Sequence, residues 1–89
     1  MPKTIYVTCA VSEGVFDSEF YVTVQDSSVY VDRVNVEVKE SPHNGDEVQG
    51  RVLASLVQEK SGQALIELSG EPVVGGLRTW VPNTDWAFA

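Results

Sequence analysis

The chain has 89 residues, 43% hydrophobic and 21% charged, with a formal net charge of −7. That length fits one domain spanning residues 1–89, and that apolar content excludes a disordered chain. The charge argues against nucleic acid and anionic membranes as partners, because both need clustered cations. The six basic residues are Lys3, Arg33, Lys39, Arg51, Lys60 and Arg78, and no two are adjacent. Cys9 is the one cysteine, so no internal disulfide forms. A secreted domain this small usually carries such staples. With no basic, hydrophobic leader and no apolar run of spanning length, the expected location is cytoplasmic.

Valine dominates the apolar residues, and β-branched side chains suit a pleated sheet. In the first run, Ile5, Val7, Cys9 and Val11 share one face, and Tyr6, Thr8 and Ala10 share the other. Ser12-Glu13-Gly14 reads as a turn. Phe20, Val22 and Val24 then alternate with Tyr21, Thr23 and Gln25, and Asp26-Ser27-Ser28 reads as a second turn. Val29 and Val31 hold one phase, whereas Val34, Val36 and Val38 hold the opposite one. A period of two changes phase only with an extra residue, which predicts a bulge or bend at Asp32-Arg33.

Residues 40–47 contain Pro42 and Asn44-Gly45 and read as a loop. The segment from Val48 to Gln58 has two readings. As a helix, Asp46 caps it, Val48, Val52 and Leu56 recur at steps of four, and Gly62 stops it. As a strand, it turns through Glu59-Lys60-Ser61-Gly62 into Ala64–Leu68. Gly50 and the close spacing of the two apolar runs favour the hairpin. A second loop follows at Gly70–Gly76, with Val73 and Val74 expected to tuck inward. A short strand at Leu77–Val81 and a turn at Pro82–Asp85 lead into Trp86-Ala87-Phe88.

This pattern predicts an all-β fold of five to six antiparallel strands, closed into a small barrel or folded into an orthogonal sandwich to hide its edges. The last third, ending in GLRTWVPNTDW, resembles the end of an SH3-like barrel, where a strand, a proline turn and a short final strand close the fold. The resemblance implies fold and not ligand. An acidic, tyrosine-containing motif near the first strand and a paired tryptophan, which SH3 domains carry, are both missing. Recognition of PxxP peptides is therefore not implied.

Catalytic constellations are absent from the sequence, and the expected function is not enzymatic. Cys9 lies mid-strand on the apolar phase, far in sequence from His43, and reads as a small core hydrophobe. His43 among Glu40, Asp46 and Glu47 has neither EF-hand nor zinc spacing and reads as a solvated loop. No metal or cofactor is expected. Trp80 and Trp86 are expected in the core or at its rim. Tyr6, Tyr21 and Tyr30 all fall on the outward phase and are the candidate binding residues, because tyrosine joins apolar area to a hydroxyl. The leading reading is a non-catalytic module that binds a protein partner or itself. The alternatives are an acidic inhibitor or nucleic-acid mimic that engages a basic protein, and a small-ligand binder.

Overall fold

A computed structural model describes residues 3–43 and 45–89. Its strands are β1 (Lys3–Glu13), β2 (Glu19–Val24), β3 (Ser27–Asp32), β4 (Val36–Val38), β5 (Val48–Lys60), β6 (Gln63–Leu68), β7 (Glu71–Val74), β8 (Arg78–Pro82) and β9 (Trp86–Phe88). Single 3-10 turns at Arg33–Asn35 and Asn83–Asp85 precede β4 and β9. The strands form one antiparallel, strongly curled sheet, a half-barrel. Among the described residues it has nine strands rather than five to six.

The two longest strands explain the curl. β1 pairs with β5 along residues Lys3 to Val11. On its other edge it pairs with β2 at Ala10–Glu13 and with β9 at Ile5–Val7. β5 is shared in the same way, between β4 at Gly50–Val52 and β6 at Ala54–Lys60. Each long strand thus belongs to two differently directed groups of neighbours, and the right-handed twist of strands bends the sheet between them. Gly50 permits the crowding at the β1–β5–β4 crossing. A Cβ there would lie 2.8 Å from both the Glu37 carbonyl oxygen and a Val38 methyl.

Period-two alternation places the core. Ile5, Val7, Cys9 and Val11 are buried, with Phe20, Val22 and Val24 from β2 and Val29 and Val31 from β3. Val52, Ala54, Ala64, Ile66, Leu68 and Val81 supply the other wall. The Val48–Gln58 segment is strand. Its partner follows a two-residue turn at Ser61-Gly62, because Glu59 and Lys60 already pair with Ala64 and Gln63. Gly62 takes the left-handed φ of +79° that this tight turn requires. An extra residue at Val57 makes a bulge between the Leu56–Ile66 and Gln58–Leu65 pairs.

The expected phase change at Asp32-Arg33 is the first 3-10 turn. The Asp32 carboxylate accepts the Val34 N–H at 3.2 Å and fixes it. Val34 consequently leaves the Val36 face and stands 83% exposed. Three further expectations are corrected. Ser27 and Ser28 are buried strand residues, because the β2–β3 turn is only Gln25-Asp26, with Gln25 at φ 51°. The Gly70–Gly76 segment contains β7, which pairs with β3. Val73 and Val74 are exposed on it rather than tucked inward. The Asn44-Gly45 turn lies partly outside the described residues, since Asn44 is among those left undescribed.

β7 ties the end of β6 to the far edge of the sheet. Gly70 and Gly75 bracket it with φ of +127° and +76°. A Cβ on Gly70 would overlap the Tyr30 carbonyl, and one on Gly75 would overlap the Asp26 carbonyl. Backbone packs directly on backbone at both ends, and the Ser27 hydroxyl donates to the Gly75 carbonyl at 3.4 Å. The strand is four residues long, contains Pro72 and has a register shift opposite Ser28–Val29. Short length, proline and irregular register are the features that keep an edge from recruiting another strand.

Candidate functional site

The three candidate tyrosines do lie on the outward phase, since each strand's opposite phase carries the core. All three are half-buried. Tyr21 and Tyr30 are direct cross-strand partners, with ring centroids 5.2 Å apart and planes tilted by 59°. Glu71 continues the row on β7. Tyr6 does not join them. The β1 residue opposite Tyr21 is Ser12, and six strand residues carry it about 20 Å from Tyr6. The outward face therefore holds a tyrosine pair and, separately, a site around Tyr6.

Register builds that second site. Tyr6 stands between Leu53 of β5 and Ala87 of β9, and Thr8 pairs with Arg51. Arg51 in turn pairs with Glu37 of β4. Paired residues point to the same side of a sheet, so Tyr6, Thr8, Arg51 and Glu37 share one face. The Arg51 guanidinium lies over the Tyr6 ring, 4.3 Å from its centroid. Its Nη2 donates to the Glu37 carboxylate at 2.7 Å, and both side chains are about half exposed, at 50% and 54%. Cation–π attraction and a charge-assisted hydrogen bond hold the guanidinium in place from two sides.

The electrostatics follow from this contact set. Hydrogen bonding by the Glu37 carboxylate, with partial desolvation and negative charge behind it, raises the Tyr6 phenol above its ordinary value. Hydrogen bonding from Arg51 and Tyr6 lowers the Glu37 carboxyl below its own. The same carboxylate raises Arg51. The three groups hold one another as neutral phenol, carboxylate and guanidinium.

Clefts flank the cluster on both sides. The larger, about 520 Å³, is lined by Thr8, Glu37, Val38, Lys39, Gln49, Gly50 and Arg51. The smaller, about 120 Å³, brings Tyr6, Thr8 and Arg51 against Thr84, Asp85, Trp86 and Ala87. Thr8 and Arg51 line both, so the two form one groove across β4, β5, β1 and β9. No family model, curated protein or solved structure matches this chain.

The second 3-10 turn shapes one wall of the groove. Asn83 N–H donates to the Gly62 carbonyl at 3.1 Å and pins the turn to the β5–β6 hairpin. The Trp86 indole N–H donates to the Asn83 side-chain carbonyl at 3.0 Å, and its ring meets Phe88 edge-on at 5.1 Å. Trp86 packs against the core, as a rim residue would. Trp80 is half-buried on the outward face, with the Lys60 ammonium 5.8 Å above its ring.

Cys9 is buried at 4% exposure, and burial pushes its thiol up to about 12. At neutral pH it is a protonated, enclosed thiol. His43 sits in an exposed loop, where its carbonyl accepts the Asp46 N–H at 2.8 Å. Among the described residues no group of three or more His, Cys, Asp or Glu is arranged to hold a metal ion.

Sequence reasoning missed Arg51 and Glu37. Both are outward strand residues, 14 positions apart. Only the β4–β5 register brings them together, and β4 is three residues long. Arg51 borders the apolar run that begins at Val52 and, with Tyr6, is a sequence signal pointing to this place.

Proposed function

We propose that this chain is a non-catalytic protein-interaction module, and that it binds an extended segment of a partner protein in the groove centred on Tyr6 and Arg51. The observation that carries this reading is the stacked guanidinium. A half-exposed arginine held by a tyrosine ring and a carboxylate has already lost much of its side-chain freedom, so a partner orders little on binding. Arginine and tyrosine are also the residue types that carry most energy at interfaces. The groove crosses four strands and is open along the outer face, a shape that suits chain segments.

The scaffold reading that goes with it is an SH3-like barrel. Pairing runs from β1 through β5 and β6 to β8, and the 3-10 turn carries the chain to β9, which returns to β1. This circuit, with WVPNTDW at its end, supports that reading. In it, β2, β3 and β4 form a long insertion between the first two barrel strands. The chemistry available also favours binding over catalysis, because the Cys9 thiol is enclosed.

Selection of random peptides from a display library tests the proposal. The wild-type domain is expected to enrich peptides that a Tyr6→Ala/Arg51→Ala variant, folded by its circular dichroism spectrum, does not retain. Equal enrichment by both proteins would refute it.

A further inference from the structure

We infer that the groove selects an acidic segment, one that presents a carboxylate to Arg51 beside Lys39. This rests on the proposed function of the groove and adds the chemistry of the partner. The chain has a formal net charge of −7 and only six basic residues. Two of the six, Lys39 and Arg51, line the larger of the groove's two clefts, against one acid, Glu37. The half of the groove at Arg51 and Lys39 thus carries two cations against one acid on an anionic protein, while Asp85 lines the other half. At physiological salt the Debye length is about 8 Å, so acids farther than this from the cleft are largely screened from a ligand bound there.

The geometry of Arg51 sets the preference for carboxylate. Glu37 engages one guanidinium nitrogen, Nη2. The rest of the donor fork stays available on a side chain that is half exposed. The Tyr6 ring, 4.3 Å from the guanidinium carbon, and the Glu37 carboxylate hold that fork in position. A planar carboxylate matches a planar guanidinium and accepts parallel hydrogen bonds from it. The exposed Thr8 and Gln49 side chains supply further neutral donors on the same floor. Glu37 acts as a positioning residue here, since it orients the guanidinium and repels a ligand that reaches too far toward β4.

The test compares peptides recovered by display selection with synthetic versions in which each Asp and Glu is replaced by Asn or Gln and the C-terminus is amidated. Titration calorimetry at 0.15 M salt is expected to show about tenfold weaker binding for the amide versions, the usual scale of one charge-assisted hydrogen bond. Arg51→Gln should weaken the acidic peptides by a larger factor than the amide versions, which removes most of the difference between them. Lys39→Gln, at a second exposed position, should act in the same direction with a smaller effect. Amide versions that bind the groove as tightly as the acidic ones would overturn this inference and leave the binding role of the groove standing. Failure to recover any peptide that depends on Tyr6 and Arg51 would remove both.

Discussion

Arg51 lies over Tyr6, with its guanidinium carbon 4.3 Å from the ring centroid. The residues are neighbours on the outward face because Tyr6 pairs with Leu53 and Thr8 with Arg51. Two-residue alternation on adjacent antiparallel strands therefore places the stack diagonally, within reach of a long side chain. Glu37 completes the arrangement from β4 and turns two side chains into a fixed platform.

The platform has a titration signature. Glu37 raises the Tyr6 phenol above its ordinary value of 10.0. Glu37→Gln should bring the Tyr6 transition, followed at 295 nm in a Tyr21→Phe/Tyr30→Phe background, down toward that value. The sign for stability follows. A raised phenol contributes fully below its unfolded value, and the contribution fades as pH climbs through the folded one. Glu37, lowered from 4.5, contributes above that value and loses its contribution as pH falls. An unchanged Tyr6 transition in Glu37→Gln would mean that the contact has no electrostatic content.

The glycines at the ends of β7 are a separate test of the fold. Gly70→Ala and Gly75→Ala each force a Cβ onto a backbone carbonyl at positive φ. Each should cost about 2 kcal/mol or more, which lowers Tm by roughly 10 °C in a domain of this size. Gly45→Ala, also at positive φ but with open space around it, should cost about 1 kcal/mol. Thermal melts of the three variants check the order. Equal losses at all three would show that β7 does not pack as described.

Cys9 should resist alkylation. Burial pushes its thiol up to about 12, so at pH 8 iodoacetamide should label the native protein far more slowly than the denatured one. Mass spectrometry reads the difference. Native labelling at the denatured rate would place Cys9 outside the core.

Much of the fold is legible in the sequence because one face of nearly every strand is buried. The valines of β1, β2 and β3 announce their phase, and the phase break at Asp32-Arg33 marks the 3-10 turn where it occurs. β7 is not legible. Glu-Pro-Val-Val is exposed along its whole length, so it has no alternation, and its pairing with β3 depends on the backbone freedom of Gly70 and Gly75. Ser27 and Ser28 mislead for a related reason. Serine after aspartate is turn chemistry by local preference, yet β7 covers them and Ser27 Oγ finds the Gly75 carbonyl.

The site divides along the same line. That Tyr6, Tyr21 and Tyr30 share the outward phase follows from period two alone. Their separation into a pair and a lone ring depends on how β2 and β9 divide the edge of β1 between them. The Arg51–Glu37 bond depends on a three-residue strand that follows a turn. Contacts set by long-range register leave no local pattern to read.

Amide-resolved NMR titration with a display-selected peptide reads the place of binding residue by residue. Shifts are expected to concentrate at Thr8, Gln49, Arg51 and Trp86, on both sides of the Tyr6 ring. Shifts gathered instead at Tyr21 and Tyr30, or at the exposed Val15, Phe16 and Val34, would contradict it.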